Sequence, residues 1–147
     1  MKVAVEETFA APIEKVYEVL SDIAHAEERI AGIEKLEILS DVTSGVGLRW
    51  RETRVMFGKE ATEEMEMVQC DPPNFYRVEA ASHGMEYVSE YSFRALDEGS
   101  TQVSLVFSGD PISFMAKLMT PIGILFQGAT RKALQQDLID LRSAIEG

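Results

Sequence analysis

DPISFMAKLMTPIGILFQGATRKALQQDLIDLRSAI, residues Asp110–Ile145, breaks with everything before it: its Leu, Ile, Phe and Met recur at helical spacing, whereas the preceding residues read mainly as two-residue alternation. Asp110-Pro111 and Thr120-Pro121 are two successive cap-then-proline helix starts, which predicts a short helix followed by a long one. From Pro121 to Ile145 the long helix would extend about 37 Å, enough to cross a small sheet. Leu134, Leu138, Leu141 and Ile145 share one face, while Ile122, Phe126, Ala129 and Ala133 centre about a third of a turn away, so the two halves should contact different surroundings. A curved sheet closed by one terminal helix leaves room for a pocket between them, lined by inward-pointing strand residues.

Working back toward the N-terminus, Val3, Val5 and Phe9 alternate in a first strand. Pro12 then fits the first turn of a helix, where Ile13, Val16, Tyr17 and Leu20 fall on one face. A weaker second helix runs from about Asp22 to Ile30 and stops near Gly32. From Ile33 the period is two. Turn residues at Thr43–Gly47, Gly58, Asp71–Asn74, His83–Gly84 and Asp97–Ser100 divide the rest into six further strands in a meander. The fold class is α+β: a seven-stranded curved antiparallel sheet around a long C-terminal helix, with two short helices between strands 1 and 2.

Composition bounds what such a domain does. With 147 residues, 46% of them hydrophobic, the chain has one core, and residues 1–147 form a single domain. Seven Met and seven Phe against one Trp suit an irregular apolar interior. The lone Cys70 rules out an internal disulfide, and with two His it cannot assemble the usual zinc ligand sets, so no metal and no cofactor is expected. A net charge of -11 argues against nucleic acid and anionic membrane surfaces. Residues 112–147 are nearly neutral beside that acidic body. The start MKVAVEETFAAP lacks a secretory pattern, and the apolar run Ile112–Phe126 is too short and too interrupted for stable membrane insertion, so a cytoplasmic location is expected.

Alternation assigns the strand faces. Glu60, Thr62, Glu64 and Glu66 form a water face, and Ala61, Glu63, Met65 and Met67 point inward. The inward set also includes Leu48, Trp50, Glu52, Arg54 and Met56, then Tyr76, Val78 and Ala80. Met85, Tyr87, Ser89, Tyr91 and Phe93 follow, and Val103, Leu105 and Phe107 complete it. Glu52, Arg54 and Glu63 are the ionisable members of this apolar face. If Gly58 and Lys59 are the two central residues of their hairpin, Arg54 stands opposite Glu63, Glu52 opposite Met65 and Trp50 opposite Met67; another loop length makes the Arg54–Glu63 pair diagonal. The cluster reads either as a self-satisfied ion pair at a barrel mouth or as a polar anchor fixing a ligand carboxylate, carbonyl or hydroxyl. Glu52, the charge left over, could accept a hydrogen bond or act as an acid or base. A His83-Gly84 turn sets Tyr76 opposite Tyr91. No GxSxG, Walker, HExxH or GxGxxG motif is present. FMAKLMTPIGILF, Phe114–Phe126, reads as a gate over the cavity, a patch for a second copy in a homodimer, or a plain buried helix.

The element order, with APIEKVYEVLSD (Ala11–Asp22) after strand one and GVGLRW (Gly45–Trp50) opening strand three, resembles the SRPBCC superfamily, the START and birch-pollen-allergen helix-grip group, and within it the polyketide cyclase/dehydrase-type families. The likeness covers Lys2 to Ile145. It implies a hydrophobic cavity between sheet and helix that binds lipids, sterols, polyketides or other small apolar molecules. Many relatives carry a Trp in the second helix, around Ile30, where this chain has none. The expected ligand-binding residues are Trp50, Glu52, Arg54, Glu63, Met65, Met67, Tyr87, Tyr91, Phe107 and Phe126. Binding or transport of a hydrophobic molecule is the leading expectation. The alternatives are a polyketide cyclase, aromatase or dehydratase moving protons with Glu52, Glu63 or Tyr91, and an interaction module docking through 114–126.

Overall fold

The computed structural model describes residues 1–56, 58–115, 117–118 and 127–147. Its elements are β1 (Lys2–Phe9), α1 (Ile13–Ser21), a 3-10 turn (Ile23–His25), α2 (Ala26–Arg29), β2 (Ile33–Ile38), β3 (Arg49–Met56), β4 (Lys59–Asp71), β5 (Phe75–Ser82), β6 (Met85–Asp97), β7 (Ser100–Pro111) and a C-terminal helix α3 (Gln127–Glu146). The seven strands form one antiparallel sheet in the order β1-β7-β6-β5-β4-β3-β2. Consecutive strands from β2 onward are neighbours, as a meander requires, and β7 closes back onto β1.

Alternation works because one face of this sheet is covered. Val3, Val5, Phe9, Leu48, Trp50, Tyr76, Val78, Phe93, Val103 and Leu105 are buried together with Val16, Tyr17 and Leu20 of α1 and Leu138 and Leu141 of α3. The His83-Gly84 turn has both residues at positive φ, 52° and 75°, the mirror-image turn whose twist suits a hairpin. It sets Tyr76 opposite Tyr91 as the spacing predicts, with the rings stacked at 4.4 Å.

Three expectations need correction, and one feature falls outside the alternation. The β3–β4 hairpin pairs Met56 with Lys59; Glu52 faces Glu63, Trp50 faces Met65 and Arg54 faces Ala61. Arg54 is therefore only diagonal to Glu63. The second helix is broken into a 3-10 turn and a single α turn, and Ile30 is already extended at φ -110°, two residues before Gly32. Asp110 and Pro111 do not start a helix: they pair with Glu86 and Met85 and remain in β7, because a proline is tolerated at a strand end. Helical residues begin at Phe114, where the Lys117 amide donates to the Ser113 carbonyl at 3.0 Å. The helix start expected at Thr120-Pro121 lies outside the described residues. Finally, a register shift between Met67 and Gln69 reverses the face of β4, turning Cys70 toward Tyr76 and the core, which strict alternation does not anticipate.

Helix α3 is fastened along β1. The side chains of Gln127, Arg131 and Gln135 donate to the carbonyls of Lys2, Ala4 and Glu6 at 2.8, 3.0 and 2.9 Å. The match is geometric: four helical residues rise about 6 Å and two strand residues about 6.8 Å, so every second outward carbonyl meets one turn of helix. Arg142 ion-pairs with Glu7, and Glu146 accepts from the Ala10 amide at 3.2 Å, which carries the attachment to the end of the helix.

Candidate functional site

Between the sheet and α3 lies a cavity of about 720 Å³. Strand residues Trp50, Met65, Tyr87, Tyr91 and Phe107 form much of its wall; Ile23, Ile30 and Ile33 close one side, and Thr130, Ala133, Leu134 and Leu141 of α3 form the roof. Tyr87 stacks on Phe107 at 5.7 Å with the planes 17° apart, giving the wall a flat aromatic facet. Gly109 gives that ring room, since a Cβ there would sit 3.1 Å from two atoms of the Tyr87 ring, a tight contact.

The polar part of the wall is a bridge from sheet to helix. Arg54 donates from Nη1 and Nη2 to the two carboxylate oxygens of Asp137 at 3.0 and 2.7 Å, a fork-to-fork contact, and from Nε to Glu52 at 2.7 Å. Glu52 and Asp137 are both buried, at 9% and 7% exposure. The two carboxylates hold the Arg54 guanidinium above even its ordinary high pKa despite its burial. Burial pushes the Asp137 carboxyl up, Arg54 pulls against this, and the Glu52 and Asp140 carboxylates add to the upward push. Gly32 lies against the bridge: a Cβ on it would come 3.1 Å from Arg54 Nη1, a tight contact.

Glu63 stands across the strand pair from Glu52 with its Oε2 buried and without a partner among the described residues. Burial, then the Glu63 charge, raises the Tyr87 phenol. Tyr91 is raised by burial first and next by Asp137 and Glu52, and Tyr76, whose hydroxyl donates to the Leu20 carbonyl at 3.2 Å, is raised well above the ordinary value by burial. At neutral pH these phenols are proton donors. No group of three or more His, Cys, Asp or Glu is placed to hold a metal among the described residues.

Of the residues singled out from sequence, Trp50, Glu52, Arg54, Glu63, Met65, Tyr87, Tyr91 and Phe107 all line this cavity. Met67 does not. It is 1% exposed, pairs with Val78 and donates its amide to Leu48, which places it in solid core. Phe126 lies outside the described residues, as do 116 and the rest of 119–126 in the segment read as gate or patch; among its neighbours Ile112, Phe114, Met115 and Leu118 are exposed. Sequence reasoning misses Asp137, though the signal exists: it is an acid three residues after Leu134 and four before Leu141, inside the apolar stripe of α3.

The model for the family described as Polyketide cyclase / dehydrase and lipid transport matches residues 1–146. The chain belongs to this family. Its fold recurs in solved structures. TTHA0849 from Thermus thermophilus superposes with a TM-score of 0.79 at 23% identity, over 97% of this chain and 95% of that one. Zhui aromatase/cyclase from Streptomyces sp. R1128 gives 0.75 at 20% identity, over 99% and 93%. Norcoclaurine synthase from Thalictrum flavum, in complex with dopamine and hydroxybenzaldehyde, gives 0.68 at 18% identity, over 96% and 86%. At these identities the likeness concerns the helix-grip fold. No curated protein sequence matches significantly. No helix among the described residues is long and apolar enough to cross a membrane.

Proposed function

We propose that this protein binds and carries a small hydrophobic molecule in the cavity under α3. The observation that carries the reading is the cavity itself: about 720 Å³, aromatic and aliphatic on most sides, with polar side chains gathered around Arg54. A void of this size is within the range of ligand pockets, and few polar groups in an apolar wall are how such pockets orient a guest. Membership of a family described by both cyclase and lipid-transport activities supports the same reading. Trp50, Met65, Tyr87, Tyr91 and Phe107 would contact the body of the guest. Organic extraction of the purified protein with mass spectrometry, followed by thermal-shift screening of apolar compounds, tests it. A co-purifying or stabilising compound is the expected result, and a broad library without one overturns the proposal.

A second reading, a polyketide cyclase, aromatase or dehydratase, is favoured by the Tyr91 phenol, which is held protonated beside the Arg54 bridge and could donate to a carbonyl oxygen as negative charge develops there. Glu52 is committed to Arg54, which leaves Glu63 as the carboxylate able to accept a substrate proton. Positioning a poly-β-ketone chain in the cavity would supply much of the acceleration. Turnover of such a chain that survives Glu63→Gln and Tyr91→Phe unchanged refutes these roles.

A further inference from the structure

Three buried side-chain atoms have no hydrogen-bond partner among the described residues, Trp50 Nε1, Glu63 Oε2 and Ser82 Oγ, and the first two belong to residues of the cavity wall. Trp50 is 2% exposed, so its indole N–H has no recourse to bulk water. Trp50 pairs with Met65, and Glu63 is two residues from Met65 on the same face of β4, so the two orphaned groups are diagonal neighbours on one patch of wall. The charges around them do not balance. The cavity wall carries the carboxylates of Glu52, Glu63 and Asp137 against the single guanidinium of Arg54, with exposed His83 at the mouth and the Met1 amino group donating to the Gly109 carbonyl at 3.0 Å. Arg54 is already taken: Nε serves Glu52, and Nη1 and Nη2 serve Asp137. No ion pair reaches Glu63 among the described residues, and it stands opposite Glu52, whose charge shares the Arg54 guanidinium with Asp137.

From this imbalance we infer that the guest is a cationic amphiphile: an apolar body bearing a protonated amine that donates to Glu63. The inference rests on the cavity-binding reading above and narrows its ligand class. An acyl carboxylate would bring a further negative charge to a wall that has excess carboxylate, and the guanidinium that could have received it faces two acids. An ammonium relieves the Glu52–Glu63 conflict and satisfies the buried Oε2 through a charge-assisted bond, while the Trp50 N–H, itself a donor, calls for a separate acceptor on the guest. The aromatic wall of Trp50, Tyr87 and Tyr91 suits a cation as well, through the negative faces of the rings.

Decylamine, decanol and decanoate share one chain and differ in the head, and Trp50, the sole tryptophan, reports their arrival by its emission. At neutral pH decylamine should bind about tenfold or more tightly than decanol, with decanoate the weakest, as expected for one charge-assisted bond. Glu63→Gln should bring decylamine to within about threefold of decanol, while Glu60→Gln on the exposed face keeps the preference. Decanol or decanoate matching decylamine on the wild-type protein overturns the inference and leaves the cavity reading standing, as does an amine preference that survives Glu63→Gln. If none of the three changes the emission or the thermal midpoint, the cavity reading falls and this inference falls with it. Should Glu63→Gln fail to fold, the ranking on the wild-type protein decides alone.

Discussion

Asp137→Ala cuts the bridge between sheet and helix on one side only, which makes its cost calculable. It removes two charge-assisted hydrogen bonds, the 3.0 and 2.7 Å contacts from Arg54, but leaves the guanidinium its 2.7 Å bond to Glu52. Such bonds contribute about 1.5–3 kcal/mol each. The Arg54 side chain retains 22% exposure, so water and the surviving Glu52 offset part of the loss. A net destabilisation of about 2–4 kcal/mol follows, roughly 5–15 °C in Tm for a domain of this size. Arg54→Met should cost more, about 3–5 kcal/mol, because it strips the partner from two buried carboxylates at once. Arg54→Met with Asp137→Leu should recover part of that, since one orphaned charge is gone. Urea unfolding followed by Trp50 emission and by far-ultraviolet circular dichroism measures all three. Asp137→Ala within about 0.5 kcal/mol of wild type, or Arg54→Met milder than Asp137→Ala, refutes the claim that this bridge fastens α3 to the sheet.

Gly32→Ala places a Cβ 3.1 Å from Arg54 Nη1 and should cost about 1–2 kcal/mol in urea unfolding, with much of the cost vanishing in an Arg54→Met background. All four tyrosines, Tyr17, Tyr76, Tyr87 and Tyr91, are raised above the ordinary value of 10.0, with burial the largest cause in each. Their neutral forms are favoured in the folded state, so this contribution to stability is whole below pH 10 and is lost as pH climbs toward the folded values. Absorbance near 295 nm should show phenolate appearing late and together with unfolding; an ordinary tyrosine titration centred on pH 10 contradicts this. Ala80→Phe projects a ring into the cavity and should abolish uptake of apolar compounds while circular dichroism stays native; retained uptake would place the guest elsewhere.

The strands were legible because one face of each is buried against the interior, which stamps a period of two on the sequence from Val3 to Phe107. Most of the cavity wall followed from that alternation alone. What alternation does not carry is registry between elements. The Gly58 hairpin could be read with either of two loops, and only coordinates show Glu52 rather than Arg54 facing Glu63. Arg54 finds its partner on α3, 83 residues away, a pairing set by how the helix lies on the sheet. Met67 looked like wall because it continues the Ala61, Glu63, Met65 series, but the register shift after it belongs to the β4–β5 pairing and leaves no mark in the local pattern.

The seam between α3 and β1 reaches beyond the cavity it roofs. β1 ends the sheet on one side, and a bare terminal strand presents carbonyls on which another polypeptide can zip, the first step toward aggregates and exchanged domains. Gln127, Arg131 and Gln135 already occupy those carbonyls at Lys2, Ala4 and Glu6. The same helix that roofs the cavity thus denies the border to foreign strands, and any opening that peeled it away would forfeit both protections at once.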